Sequence, residues 1–224
     1  MSLRFSLIIT ILSLAIFGFT LKKNKLNDPE KEKVLLEIVK YVVERGHYNS
    51  IDLDDNFSVK IFDDFISKLD PQKRFFTVND IRQLNRYKYK IDDQIKNYQL
   101  EFFEETYKTY NQRVIDAKLF VDKVFETDFD FSKNEFIDLN NDSIPFSFGK
   151  NQLFERWRKQ IKYSVLDIVT QRYSSDSLDF NEIKINAIST VKKNTNDFFD
   201  YANELDRDDW FSVYVNSFVS QFDP

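Results

Sequence analysis

The chain has 224 residues, 42% hydrophobic and 17% aromatic, with a formal net charge of -5. That is ample material for a core, and charges of both signs are interspersed, so no basic footprint for nucleic acid exists. The absence of Cys excludes disulfides, thiolate metal sites and a cysteine nucleophile. With 3 Gly and 4 Pro against 24 Phe and 11 Tyr, the expectation is all-α: an irregular multi-helix bundle with long amphipathic helices and one extended or loop segment near 127–149.

Arg4 precedes an uncharged apolar run over residues 5–21, followed by Lys22, Lys23 and Lys25. This layout suits a secretory signal or a short membrane anchor, the run lying at the low edge of the roughly 17 to 25 residues that span a bilayer. The expected organisation is therefore a signal or anchor over 1–21, a linker over 22–28 and a helical domain over 29–224. That domain divides on pattern into lobes 29–126 and 150–224, joined by 127–149. Export to the periplasm or cell envelope follows, with inner-membrane contact only through 5–21 if that segment is retained.

Asn27-Asp28-Pro29-Glu30 reads as a helix start, and Val34, Leu35, Ile38, Tyr41, Val42 and Arg45 follow at helical spacing up to Gly46. A second helix is expected from near Asp52, with Phe57, Ile61, Phe62, Phe65, Ile66 and Leu69 on one broad face and Asp70-Pro71 as its stop. Thr77 offers the next cap. From there to Glu126 no Gly or Pro intervenes. One unbroken helix of that length would reach roughly 70 Å at 1.5 Å per residue, so a bend or break is expected near 96–99. After the 127–149 segment, helices are expected over 150–173, 180–205 and 206–224.

The last of these carries Trp210, Phe211, Tyr214, Phe218 and Phe222 and runs into Asp223-Pro224, a pair that favours a turn. From this we expect a continuation. We also expect residues 206–224 to leave apolar surface uncovered, making the chain prone to self-association.

Several islands in order resemble the N-terminal helical domain of the tail-specific, carboxy-terminal processing proteases, which are serine peptidases of the Ser/Lys-dyad type. They are His47-Tyr48-Asn49 with the helix that follows to Leu69; Leu69-Asp70-Pro71 with Phe75-Phe76 and Asp80-Ile81; Phe129-Asp130-Phe131; Leu153 with the stretch from Trp157 to Tyr163; and the terminal Asp223-Pro224. The resemblance implies that the catalytic Ser and Lys, and a PDZ domain, belong to a downstream core absent from this chain. It implies partners of three kinds: that missing PDZ and peptidase core, protein or peptide substrates with exposed C-termini, and an adaptor protein. The domain itself would frame the substrate path and dock substrate or adaptor. A freestanding envelope module that binds another protein is the alternative.

The chain's own residues offer little chemistry. Glu44 and His47 form Glu-x-x-His, but His47 is the only His, so the paired motif of a bundle metal site cannot be built. The acid pairs Asp54-Asp55, Asp63-Asp64, Asp92-Asp93, Glu104-Glu105 and Asp208-Asp209 point about 100° apart on a helix and read as solvated faces. Ser58-Val59-Lys60 is spaced wrongly for a nucleophile and base to meet, and Ser132-Lys133 falls in a polar loop. No catalytic residue, metal site or cofactor is expected in this chain. Phe75, Phe76, Trp157, Trp210, Phe218 and Phe222 are the candidate interaction surface, lining a concavity for apolar peptide ends; core packing is the commoner use of such residues.

Overall fold

The computed structural model describes residues 28–46, 52–140, 144–173 and 179–222. The expected signal or anchor, His47-Tyr48-Asn49 and the terminal Asp223-Pro224 lie outside the described residues. Among these residues the secondary structure is α1 (Asp28–Gly46), α2 (Asp55–Leu69), α3 (Val78–Leu84), a 3-10 turn (Asn85–Tyr87), α4 (Ile91–Lys96), α5 (Glu101–Phe125), α6 (Lys150–Tyr173), α7 (Phe180–Glu204) and α8 (Arg207–Val219). The protein is all-α, and the one β-type pairing described is an isolated parallel bridge from Thr77 to Ser147.

Local chemistry sets the helix starts. Asp54 accepts from the Phe57 N–H and opens α2, while Thr77 with Asp80 and Asp206 with Asp209 form reciprocal capping boxes that open α3 and α8. The expected break falls where anticipated: α4 stops at Lys96, and Tyr98 takes a positive φ of 55° before α5 begins. Leu100 has no capping side chain for α5, so Gln94 supplies one from α4, its Oε1 accepting from the Phe102 N–H at 3.0 Å. The 3-10 turn after α3 is an additional break, within a stretch that holds no Gly or Pro.

The spine is α5, which packs against α3, α6, α7 and α8. Its first turns bury Phe102 and Phe103 against Phe62 and Phe65 of α2 and Tyr214 of α8. Its later turns bury Val114, Ala117, Val121 and Val124, and Phe120 meets Phe154 of α6. Helices α6 and α7 form an antiparallel pair, as Tyr173 meets Phe180 at one end and Trp157 meets Phe199 at the other. Both bury residues four apart, Leu153, Trp157, Ile161, Val165 and Val169 on α6 and Ile183, Ala187 and Val191 on α7. Such rows interlock readily.

The expectation of an uncovered carboxyl-terminal flank is corrected. Trp210, Phe211, Tyr214, Phe218 and Phe222 are all buried, because α8 returns to pack between α1, α2 and α5. Phe57 of α2 meets both Phe218 and Phe222 edge to face. An ion pair locks the same seam: Arg207 donates to both oxygens of the fully buried Glu32 carboxylate at 2.7 and 2.8 Å. It is α1 that leaves apolar groups in solvent. Val34, Leu35, Ile38, Tyr41 and Val42 are exposed, while the packed face is Glu32, Leu36, Val39 and Val43.

The described residues of the 127–149 segment, 127–140 and 144–149, are non-helical as expected, and the first part is tied down by charge. Glu135 accepts from Arg158 and Lys162 of α6, and these two bonds hold its carboxyl down at about 2. A carboxylate depressed in the folded state stabilises fully above its ordinary value of 4.5 and loses that contribution as pH falls through about 2. An NMR titration of Glu135 should therefore show a midpoint near 2, with residues 131–137 still docked at pH 4. A midpoint near 4.5 would mean that the pair does not hold the segment.

Candidate functional site

Ser58 is buried and exchanges two bonds with Asp92, its hydroxyl donating to Asp92 Oδ1 at 2.6 Å and accepting from the Asp92 N–H at 2.8 Å. This joins α2 to α4 and leaves the hydroxyl no free role. Asp63 pairs with Lys88 and Asp64 with Lys68, while Asp54 and Asp209 serve as caps. Asp92 is the exception to the solvated reading, being buried and paired with Lys96. Ser132 bonds Asp130 within the loop.

The candidate aromatic residues do not share one surface. Phe76, Phe218 and Phe222 are core residues: Phe76 packs on Tyr110 of α5, and Phe218 and Phe222 pack on Phe57 of α2. Phe75, Trp157 and Trp210 are also largely buried, but they form walls of grooves around one cation, Arg74.

The loop from Asp70 to Thr77 builds that site. Asp70, buried where α2 ends, turns its carboxylate back on its own loop: Oδ1 accepts from the Arg74 N–H at 2.8 Å, and Oδ2 accepts from Phe75 and Phe76 at 2.9 and 2.8 Å. Lys73 adopts the left-handed conformation, φ 48°, which lets the chain reverse around the carboxylate. From α6, Arg156 donates to the carbonyls of Lys73 and Pro145, and the Trp157 indole donates to the Arg74 carbonyl at 2.9 Å. The loop backbone is thereby fixed from both sides.

The Arg74 side chain lies between two aromatic faces, with its guanidinium carbon 4.5 Å from the Trp157 centroid and 4.8 Å from that of Phe198. It makes no hydrogen bond or ion pair to any described residue. Burial pulls its pKa down, against the longer-range pull of Asp70 and Tyr110, and an arginine remains charged in such a setting. Asp70 makes no contact ion pair with it, its carboxylate being turned onto the loop amides. Burial in turn pushes the Asp70 carboxyl above its ordinary value, against those amides and Arg74.

Three grooves meet at Arg74. One, of about 240 Å³, runs between the end of α2, the end of α7 and Trp210 of α8 and includes Pro71, Phe75 and Leu205. Another runs between α6 and α7, past Trp157, Ile161, Asn194 and Phe198. The third lies under residues 136–138, past Gln72 and Arg156. Trp210 also brings an indole N–H that is buried with no acceptor. The arrangement places a guanidinium with free donors where apolar groove walls meet. In the sequence Arg74 was one charge among many; its only signal was its place between Asp70-Pro71 and Phe75-Phe76.

Among the described residues no cluster of His, Asp and Glu could hold a metal ion. The family model described as the tail specific protease N-terminal domain matches residues 38–224. A tail-specific protease of Haemophilus influenzae is 23% identical over 181 residues, covering 80% of this chain and 25% of that protein. The chain thus spans about a quarter of the length of that relative. With the family model matched from α1 to beyond α8 on an all-helical fold, this chain belongs to the tail-specific protease N-terminal domain family.

Proposed function

We propose that this chain is the non-catalytic N-terminal helical domain of an exported carboxy-terminal processing serine protease. It frames the substrate path and docks substrate or adaptor, while a downstream core that carries the Ser/Lys dyad cleaves the peptide bond. The observation that carries this reading is the family match over 38–224. The locked Ser58 hydroxyl and the docking-type grooves around Arg74 support it. Export is supported by the Arg4 and apolar 5–21 pattern. No helix among the described residues is long and apolar enough to cross a membrane.

The test is a peptidase assay on an unstructured protein substrate, with the chain alone and with the chain joined to the polypeptide encoded after Pro224. The chain alone is expected to give no turnover and the joined form to cleave. Turnover by the chain alone would sink the reading. A second reading, a freestanding interaction module of the cell envelope, is favoured by the packing of α8 on α1, α2 and α5, which buries the aromatic residues of this end within the described helices. A gene with no peptidase core beyond Pro224 would support that reading over the first.

A further inference from the structure

We propose that Arg74 is a docking site for an acidic side chain carried on an apolar polypeptide segment from outside this chain, a step that rests on the reading of this domain as a docking body. Four observations converge. A guanidinium has five N–H donors in a planar fork suited to a carboxylate, and those of Arg74 meet no acceptor among the described residues. The loop is rigidly held by Asp70, Arg156 and Trp157, so the cation is preorganised. Trp157, Phe198, Phe75, Pro71 and Leu205 give the grooves apolar walls, beside which a charge pair is stronger than in open water, while Asp167 also lines the groove between α6 and α7. The Trp210 side chain borders the same groove, and its indole N–H is buried with no acceptor.

The grooves distinguish an internal acid from a chain terminus. They leave Arg74 in more than one direction, one toward Trp210 and one between α6 and α7. A segment can therefore run through the site and continue on both sides of the residue that pairs with Arg74. A terminal carboxylate would need only one groove. The size of the first, about 240 Å³, admits one or two side chains beside the acid.

The chain provides its own readout, since its 2 Trp residues, Trp157 and Trp210, both border Arg74 grooves. Three peptides serve as probes in a fluorescence titration: acetylated and amidated Leu-Ala-Glu-Ala-Leu, the same with Gln in place of Glu, and the Gln peptide with a free C-terminus. The capped Glu peptide is expected to bind about tenfold or more tightly than the capped Gln peptide, the ordinary worth of a charge-assisted pair. Arg74→Gln should bring that ratio to about one, and Arg74→Lys should keep only part of it because the fork is lost.

The proposal is overturned by equal binding of the two capped peptides to the wild-type chain, by no binding of either at millimolar concentration, or by an undiminished ratio in Arg74→Gln. It is also overturned if the Gln peptide with a free C-terminus binds best. The wild-type comparison decides even if a variant fails to fold. None of these outcomes bears on the peptidase assay, so failure here and failure of the protease-domain reading are separable.

Discussion

Replacing Tyr214 with alanine is expected to lower the free energy of unfolding by about 3–5 kcal/mol, the usual cost of truncating a fully enclosed aromatic. Tyr214 is fully buried and its ring lies 5.4 Å from Phe65, 6.1 Å from Phe102, 5.6 Å from Phe103 and 6.3 Å from Phe211. It joins α2, α5 and α8, so the cavity cannot close by the shift of one side chain. Tyr214→Phe should act in the opposite direction. The phenol hydroxyl is buried without a partner, and burial holds its pKa far above the ordinary tyrosine value. Removing an orphaned hydroxyl while keeping the ring should stabilise by about 1 kcal/mol. Urea unfolding of the two variants checks both signs; destabilisation by Tyr214→Phe would mean that the hydroxyl has a partner after all.

Asp70→Ala is the second large effect, also about 3–5 kcal/mol, because it leaves three amides of a buried loop without their acceptor and Arg74 without its nearest counter-charge. At roughly 2–4 °C per kcal/mol for a chain of this size, the melting temperature should fall by about 10 °C. Asp70→Asn should cost less, as one oxygen remains to accept. It should also change the pH profile. Burial raises the wild-type carboxyl, so the folded state binds its proton more tightly than the unfolded state and stability falls as pH rises above the ordinary carboxylate value and through the raised one. Asparagine does not ionise, so this falling contribution should be absent from its curve. Melting curves from pH 3 to 7 test this, and a parallel slope in wild type and Asp70→Asn would contradict it. Glu135, lowered in the folded state, contributes with the opposite sign.

Much of the fold was legible because helices here carry local signals. The face of Phe57, Ile61, Phe62, Phe65, Ile66 and Leu69 is buried as its spacing indicates, and the caps at Thr77 and Asp206 and the break before α5 lie where side-chain chemistry puts them. The exposed side of α1 and the sealed side of α8 were not legible. Apolar spacing shows that a helix has a stripe, but the partner that covers the stripe is chosen by residues more than a hundred positions away, such as Glu32 with Arg207. The site was hidden for the same reason. Asp70 and Pro71 read as a helix stop, and nothing local indicates that the carboxylate would be spent on its own loop.

The sequence by itself determined the helical class, the order and limits of most elements and the likeness to one protease family, because capping, periodicity and composition act within a few residues. Only the tertiary structure decided that α8 closes on α1, α2 and α5, that Phe76, Phe218 and Phe222 are core, and that the Arg74 guanidinium lies between Trp157 and Phe198 without a hydrogen bond or contact ion pair to a described residue. Burial and charge pairing depend on which distant groups arrive at the same place, and that is settled when the helices pack.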